Sequence, residues 1–324
     1  GVISQYLFVP IDNFAGEKPY IKDFYFNFFQ NSEDLYQALK RHNVNGFGSA
    51  TPLSFNLSGI KGVTEEKLPM PDYYAVFFNQ NSNPLLKDKN IRAGLVSAID
   101  KKRIVDKVLG GNAAIVNAPG FSSTDSMNGN DSDYNQDEAK QLIMAFKTKN
   151  KNEPINITLT VPEVGFLKKV ADLIKDDWQN VGVDQVNINV FNPSDPANAT
   201  VKSRDYEMLL FGNILENPTD LFPFWHSSQR IYPGFNLALY QNSKADNLLE
   251  NIRQTGDETK QKDWLNQVQK IILNDAPAVF LFSLPYTYIH TSDLGGFNPD
   301  FIATPPEIFK NVNQWYVAQV RIIK

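Results

Sequence analysis

The chain has no cysteine, which excludes a disulfide scaffold, a cysteine nucleophile and thiolate metal sites while leaving the compartment open. Histidine is scarce: His42, His226 and His290 are the full set. None stands in HxxxH or HExxH spacing, so no metal site is expected and His226 reads as a structural imidazole. Charge of one sign is not concentrated either. The 31 basic and 36 acidic side chains are interleaved and sum to −5, which argues against a nucleic-acid footprint. No apolar run approaches the length of a membrane span. There is no glycine-rich phosphate loop and no G-x-S-x-G elbow, and no cofactor is expected. Gly1-Val2-Ile3-Ser4 shows neither a basic n-region nor an apolar h-region; this is neutral, because an exported protein would already have lost its leader. An Asp- and Asn-rich stretch at 125–137 lacks the spacing of an EF-hand and reads as a solvated loop.

What is present is enough apolar material, 42% of 324 residues, to bury two cores. Residues 73–78 form an aromatic and β-branched run of strand length, and 79–84 are dense in turn formers. Asp88 is placed to cap a helix in which Ile91, Leu95 and Ile99 share a face that Arg92 leaves. Asp100 is placed to cap a second helix carrying Ile104, Val105, Val108 and Leu109, with Gly110-Gly111 to end it.

Within this segment Phe78-Asn79, Asn83-Pro84, Arg92-Ala93-Gly94, Ala98-Ile99-Asp100 and Gly110-Gly111 follow in one order. The pattern resembles the signature segment of the family 5 extracellular solute-binding proteins, which serve peptide-type ABC transporters. The resemblance implies an α/β fold of two lobes, like the type II periplasmic binding proteins of the large peptide-binding class, present here in part. Relatives carry a long N-terminal portion ahead of the segment that matches residue 20 onward. The chain is therefore expected to be a fragment, or one half of a protein whose other half is a separate N-terminal chain. An incomplete first lobe should expose an apolar patch beside residues 20–29 unless a second chain fills the gap.

Periodicity places further elements. Residues 20–29 suit a strand; Asn31 or Ser32 can cap a helix through Leu39, with Asn43 in the left-handed conformation after it, and 44–47 return as a strand. Asn135 and Glu138 have capping-box spacing ahead of a helix, 155–161 and 183–190 read as strands, and the helix between them ends at Gly182. A strand at 206–211, helices at 245–254 and 258–273, and strands at 278–282 and 315–323 complete the reading. The chain crossings are placed at 79–84 and 283–288, with Asn79, Pro84, Ser283 and Tyr288 as hinge candidates. Lobe one is then 1–79 plus 285–324, lobe two is 80–284, and the strands at 73–78 and 315–323 share lobe one. Two crossings permit hinge closure.

The segment after the 206–211 strand holds the candidate ligand-binding residues, since the carboxyl end of such a strand opens towards a crevice. The family pattern there is Trp-x-x-Asp-x-x-Asp-Pro, whose first Asp pairs with the ligand's α-amino group in peptide binders. In this chain Phe211 takes the Trp position and can still offer an aromatic wall, Gly212 and Asn213 follow, and Ile214 takes the Asp position. Either Glu216 or Asp220 holds the amine after a small shift, or the ligand has no amine there; Asn217 lies between them. Phe224 and Trp225 offer aromatic faces to a pocket or to ordinary packing. Asn236 matches a family Asn and either braces the cleft loop or touches the ligand.

These features fit a non-enzymatic protein that closes two lobes over a peptide or similar oligomeric solute and delivers it to an ABC transporter permease. The implied location is extracytoplasmic, in the periplasm or on the outer face of the cell membrane, with membrane attachment only through a lipoprotein anchor or the permease. Two other readings remain open: a hydrolase using Glu216 and Asp220 as paired carboxylates, and a truncated half that binds only with its missing segment.

Overall fold

The structure is a computed structural model and describes residues 3–13, 16–53, 55–120, 133–195, 199–299 and 302–318. The acidic stretch at 125–137 and the end of the C-terminal strand expected at 315–323 fall largely outside them. The chain divides into two compact units, Gly1–Met70 with Leu284–Lys324, and Pro71–Ser283.

The first unit opens with β1 (Gln5–Phe8), β2 (Phe24–Asn27), α1 (Ser32–Lys40), β3 (Gly46–Ser49) and β4 (Val63–Leu68). The second holds β5 (Asp72–Phe78), α2 (Lys89–Ser97), α3 (Lys101–Val108), β6 (Ala114–Ile115), α4 (Gln136–Lys149), β7 (Asn156–Pro162) and α5 (Gly165–Asn180). It continues with β8 (Gln185–Phe191), α6 (Thr200–Ser203), β9 (Met208–Ile214), α7 (Phe222–Trp225), α8 (Ser243–Gln254), α9 (Glu258–Asp275) and β10 (Ala278–Ser283). The chain then returns to the first unit with β11 (Tyr286–Thr291), β12 (Leu294–Gly295) and β13 (Tyr316–Val317).

The second unit is built on a six-stranded sheet in the order β6-β10-β5-β9-β7-β8. Strand β7 runs parallel to β8 and β9, whereas β5 is antiparallel to both β9 and β10. One face of β5 and β9 packs into a core with Trp225, Leu249, Val268 and Phe280. Helix ends are set by the expected side chains: Asp88, Asp100 and Asn135 accept from the first-turn amides, and Gly110, Gly111 and Gly182 have positive φ. Arg92 leaves the Ile91–Leu95 face but not the interior. Its guanidinium is buried and donates to the carbonyls of Leu86 (2.7 Å), Lys87 (3.1 Å), Asp275 (2.7 Å) and Ala276 (3.1 Å). It thereby ties the start of α2 to the end of α9.

Three expectations are corrected here. Strand β5 belongs to the second unit, so it does not share a core with the C-terminal strand, whose described part, β13, pairs with β12 in the first. The physical reason is that β5 is apolar on both faces and sits between β10 and β9, a position that only a strand covered on both sides can occupy. The first crossing consequently falls at Met70–Pro71, not at 79–84. Asn79 is an internal brace that donates to the carbonyls of Arg204 and Tyr206, Pro84 opens a 3-10 turn capped by Asn83, and Tyr288 lies within β11. Of the hinge candidates, only Ser283 stands at a crossing. Finally, the left-handed residue after α1 is His42, one position before Asn43.

Between α3 and α5, Asp177 pairs with Arg103 (2.6 Å) and accepts from the Asp100 amide (3.2 Å). Burial outweighs the guanidinium and pushes its carboxyl up to about 6 from the ordinary 3.8. An acid whose pKa rises on folding takes up a proton on folding. Stability from this site should therefore grow as pH falls through 6 towards 4, and be lost as pH rises through 6. Asp177→Asn should flatten that part of the profile of Tm against pH; an unchanged slope would refute the assignment.

In the first unit β11 is the central strand of an antiparallel sheet, β3-β11-β4. Gly46 and Gly48 on β3 carry no side chain because the rings of Tyr288 and Tyr286 lie across them, and a Cβ at either glycine would collide with a tyrosine. Apolar clusters around Tyr288 and Trp315, and around Leu39 and Ile289, cover the two sides. Strands β1 and β2 form a separate antiparallel pair. As expected of an exposed patch beside residues 20–29, Tyr6, Leu7, Phe8, Val9, Tyr20, Tyr25, Phe28 and Phe29 are all exposed.

Candidate functional site

Strands β7 and β9 run parallel, so their carboxyl ends emerge at the same end of the second unit's sheet, where ligands of open α/β sheets gather. The register settles which side chains meet there. Ile214 is opposite Asp72, Gly212 opposite Tyr74, and Phe282 of β10 also opposite Tyr74. Residues two apart on a strand share a face, so Asp72, Tyr74, Gly212 and Ile214 stand together. Tyr74 stacks on Phe282 with centroids 5.1 Å apart and meets Phe166 edge-on at 5.7 Å. Gly212 makes room for the tyrosine: a Cβ there would stand 3.0 Å from Cε1 of Tyr74. Ile214 is half exposed beside this aromatic group. Asp72 is buried and accepts from Ser283 Oγ at 2.6 Å.

The other sequence candidates distribute differently. Phe211 lies on the opposite face of β9, packed against the core around Trp225, so it is not the wall beside Ile214. Asn213 shares that face, is buried, and donates to the Tyr73 hydroxyl at 3.0 Å. Burial drives that hydroxyl's pKa up, so it stays protonated. Trp225 is fully buried against Phe77, Tyr240 and Phe280. The packing reading holds for it and the pocket reading does not. Asn236 is fully buried too; its amide donates to the carbonyls of His226 and Tyr240, and its oxygen accepts from the Tyr240 amide. It braces the loop and has no polar atom left for a ligand.

Asp220 is also committed. Its carboxylate receives three bonds from Arg253, Nε at 3.0 and 3.2 Å and Nη2 at 2.6 Å, and accepts from the Phe222 amide at 3.2 Å. The same guanidinium lies 4.0 Å over the Phe222 ring, which stacks at 4.1 Å on His226. His226 in turn bonds Ser228 and Glu250, as a structural imidazole does. Asn217 accepts from Thr219 in an Asx turn. Glu216 is exposed and makes no hydrogen bond or ion pair among the described residues. Phe224 is half-buried against the exposed Phe235.

The site at the end of β9 is thus an aromatic group, Tyr74, Phe166 and Phe282, flanked by Ile214 and a buried carboxylate, Asp72. Sequence reasoning missed these partners of Ile214. Tyr74 and Phe282 were legible as strand residues, but only register brings them beside it. The pairing of Asp220 with Arg253 removes one member of the proposed catalytic pair, and the hydrolase reading has no support.

Comparison with known proteins agrees with this architecture. The model of the bacterial extracellular solute-binding proteins, family 5 Middle, matches residues 4–231. Oligopeptide-binding protein AppA of Bacillus subtilis is 22% identical over 327 aligned residues, covering 95% of this chain and 58% of that protein. A probable D,D-dipeptide-binding periplasmic protein of Escherichia coli, DdpA, is 26% identical, covering 91% of this chain and 57% of that one. The structure of the Bacillus subtilis AppA in complex with a nonapeptide superposes with a TM-score of 0.71 at 21% identity, over 96% of this chain and 66% of that one. The chain spans somewhat more than half the length of the curated relatives it matches. Its fold is that of part of a periplasmic peptide-binding protein, and the chain belongs to the bacterial extracellular solute-binding proteins, family 5.

Proposed function

We propose that the complete protein captures a peptide or similar oligomeric solute outside the cytoplasm and hands it to an ABC transporter permease, without requiring a free α-amino terminus on its ligand. Family membership supports the first part. The single observation behind the second is Ile214, an aliphatic side chain at the position where the family pattern has an acid. An ammonium placed beside it would lose water and gain no partner there, which costs more than apolar contacts offset. Asp220 is held by Arg253, and Asp72 is buried under Ser283. Affinity is then drawn from the aromatic group around Tyr74 and from main-chain hydrogen bonds, and rotation during capture would be absorbed at the two chain crossings.

Calorimetry with one peptide in free and N-acetylated forms tests this. The two affinities should agree within about threefold, because no charge-assisted bond to the amine is at stake. Loss of binding on acetylation would mean that Glu216 or Asp72 has taken the amine-binding role. The same titration should saturate without product; turnover would overturn the binding reading.

A further inference from the structure

The two ends of the second unit's sheet are furnished differently. The end with Ile214 carries both chain crossings, since Asp72 stands opposite Ile214 and Ser283 bonds Asp72. At the other end Phe78 stands opposite Met208, and Asn79 donates to the carbonyls of Arg204 and Tyr206. Arg204 in turn donates to the carbonyls of Val201, Arg230 and Gly234. The turn at 230–235 is thereby fastened to this far end, away from Ile214 and Tyr74. Three of its apolar side chains meet solvent: Ile231 is 81% exposed, Tyr232 57% and Phe235 57%.

Two properties set this turn apart from a loop with stray apolar residues. It is held in shape: the amides of Gly234, Phe235 and Asn236 donate to the carbonyls of Ile231, Pro223 and Gln229. Gly234 is needed for this, because a Cβ there would collide with the Gln229 carbonyl. Apolar side chains presented on an ordered turn lose little freedom on meeting a partner. The turn is also cationic, in a chain of net charge −5 with no acid between Asp220 and Asp246. Lys202 lies 5.6 Å over the Tyr232 ring, Arg204 bonds carbonyls only, and Arg230 bonds the neutral groups of Ser227 and Gln241. Of the two acids next to Arg204 in sequence, Glu207 is taken up by the Thr158 amide at 2.7 Å and Asp205 is exposed, so three cations outnumber them.

We propose that this turn is a membrane-surface contact: Ile231, Tyr232 and Phe235 enter the interface of a bilayer containing anionic lipid, and Lys202 and Arg230 meet its phosphates. Aromatic side chains and long cationic ones with apolar stems settle at the boundary between headgroups and acyl chains, and each cation near an anionic surface adds attraction. The exposed residues and charges at 230–235 are of these types. A protein partner fits less well, because three side chains on one turn fall short of the roughly 800 Å² per partner that a stable interface buries. A contact of this size is weak and reversible; it holds the far end of the second unit near the membrane without fixing it there.

The test uses the 324-residue chain and vesicles of phosphatidylcholine, pure or with about a quarter phosphatidylglycerol. Co-sedimentation should show about tenfold stronger binding to the anionic vesicles, falling as salt is raised. Lys202→Glu should weaken it about tenfold, as should the combined Ile231→Ser, Tyr232→Ser and Phe235→Ser variant. Leu7→Ser with Phe8→Ser, on the exposed hairpin of the first unit, should leave it unchanged. Because the chain has no cysteine, Tyr232→Cys places a single nitroxide label on the turn. Anionic vesicles should raise its collisions with oxygen and shield it from a water-soluble nickel complex, whereas a label at Met144→Cys should stay in water. This readout stands even where the triple variant fails to fold. Equal binding to both vesicle types, binding lost with the hairpin variant but kept in Lys202→Glu, or a label at 232 that stays in water would each overturn the proposal. So would shielding of that label without vesicles that grows with protein concentration, because a second copy would then be the occupant.

Discussion

Arg92→Ala is expected to destabilise the second unit by roughly 3–5 kcal/mol, the range for removing several charge-assisted hydrogen bonds at once and stranding their acceptors. The wild-type guanidinium serves four carbonyls, two in the turn before α2 and two at the end of α9. Solvent cannot replace it freely, because the side chain is buried. Ala276, one of the acceptors, holds a left-handed conformation at the α9 C-cap, so the loss should also loosen the entry into β10. Arg92→Lys should recover less than half of the deficit, since a compact ammonium cannot span acceptors that a planar fork reaches on both sides. Denaturant unfolding followed by Trp178 and Trp225 fluorescence reads the second unit, and exchange at residues 272–278 reads the α9 end. A change below about 1 kcal/mol would show that the carbonyls find other partners.

Trp225→Ala should be comparably severe, about 3–5 kcal/mol, as for large aromatic side chains removed from a filled core. Its ring touches Phe77, Tyr240 and Phe280 and has no exposed surface. The folded fraction of the variant should keep its ligand affinity. Phe235→Ala, ten residues on and 57% exposed, should shift stability by no more than about 0.5 kcal/mol. Equal losses from the two would contradict the burial that separates them. Together the pair distinguishes an aromatic that shapes the core from one that meets solvent.

Much of the fold was legible because it is written locally. Asn31, Asp88, Asp100 and Asn135 cap the helices that the periodicity placed after them, and the glycines at 110, 111 and 182 end two helices as their spacing suggested. What escaped was set by partners distant in sequence. Strand β5 reads as a strand from its residues, yet its assignment to a unit depends on β9 and β10 beside it. β11 was hidden inside a presumed crossing because its Thr and His positions break the apolar run. The site suffered from parity. Phe211 and Ile214 lie on opposite faces of β9, so taking the segment as one wall put Phe211 on the wrong side. Asp72 stands opposite Ile214 only through cross-strand register, which no single stretch of sequence records.

The order β3-β11-β4 also carries a consequence for synthesis. The two outer strands of that sheet are made early, yet the strand that must lie between them follows the entire insertion, so neither can be completed while the second unit is still emerging from the ribosome. The second unit waits for nothing beyond Ser283. Its first and last strands, β5 and β10, are neighbours, and Ser283 bonds Asp72 at their common end. Once it has folded, a long loop has contracted to a short one, and Leu284 is delivered close to where Met70 left off, which lowers the entropic cost of inserting β11. The inserted unit thus acts as an internal template for the unit that encloses it in sequence, and vectorial folding should proceed from the inside of the chain outward.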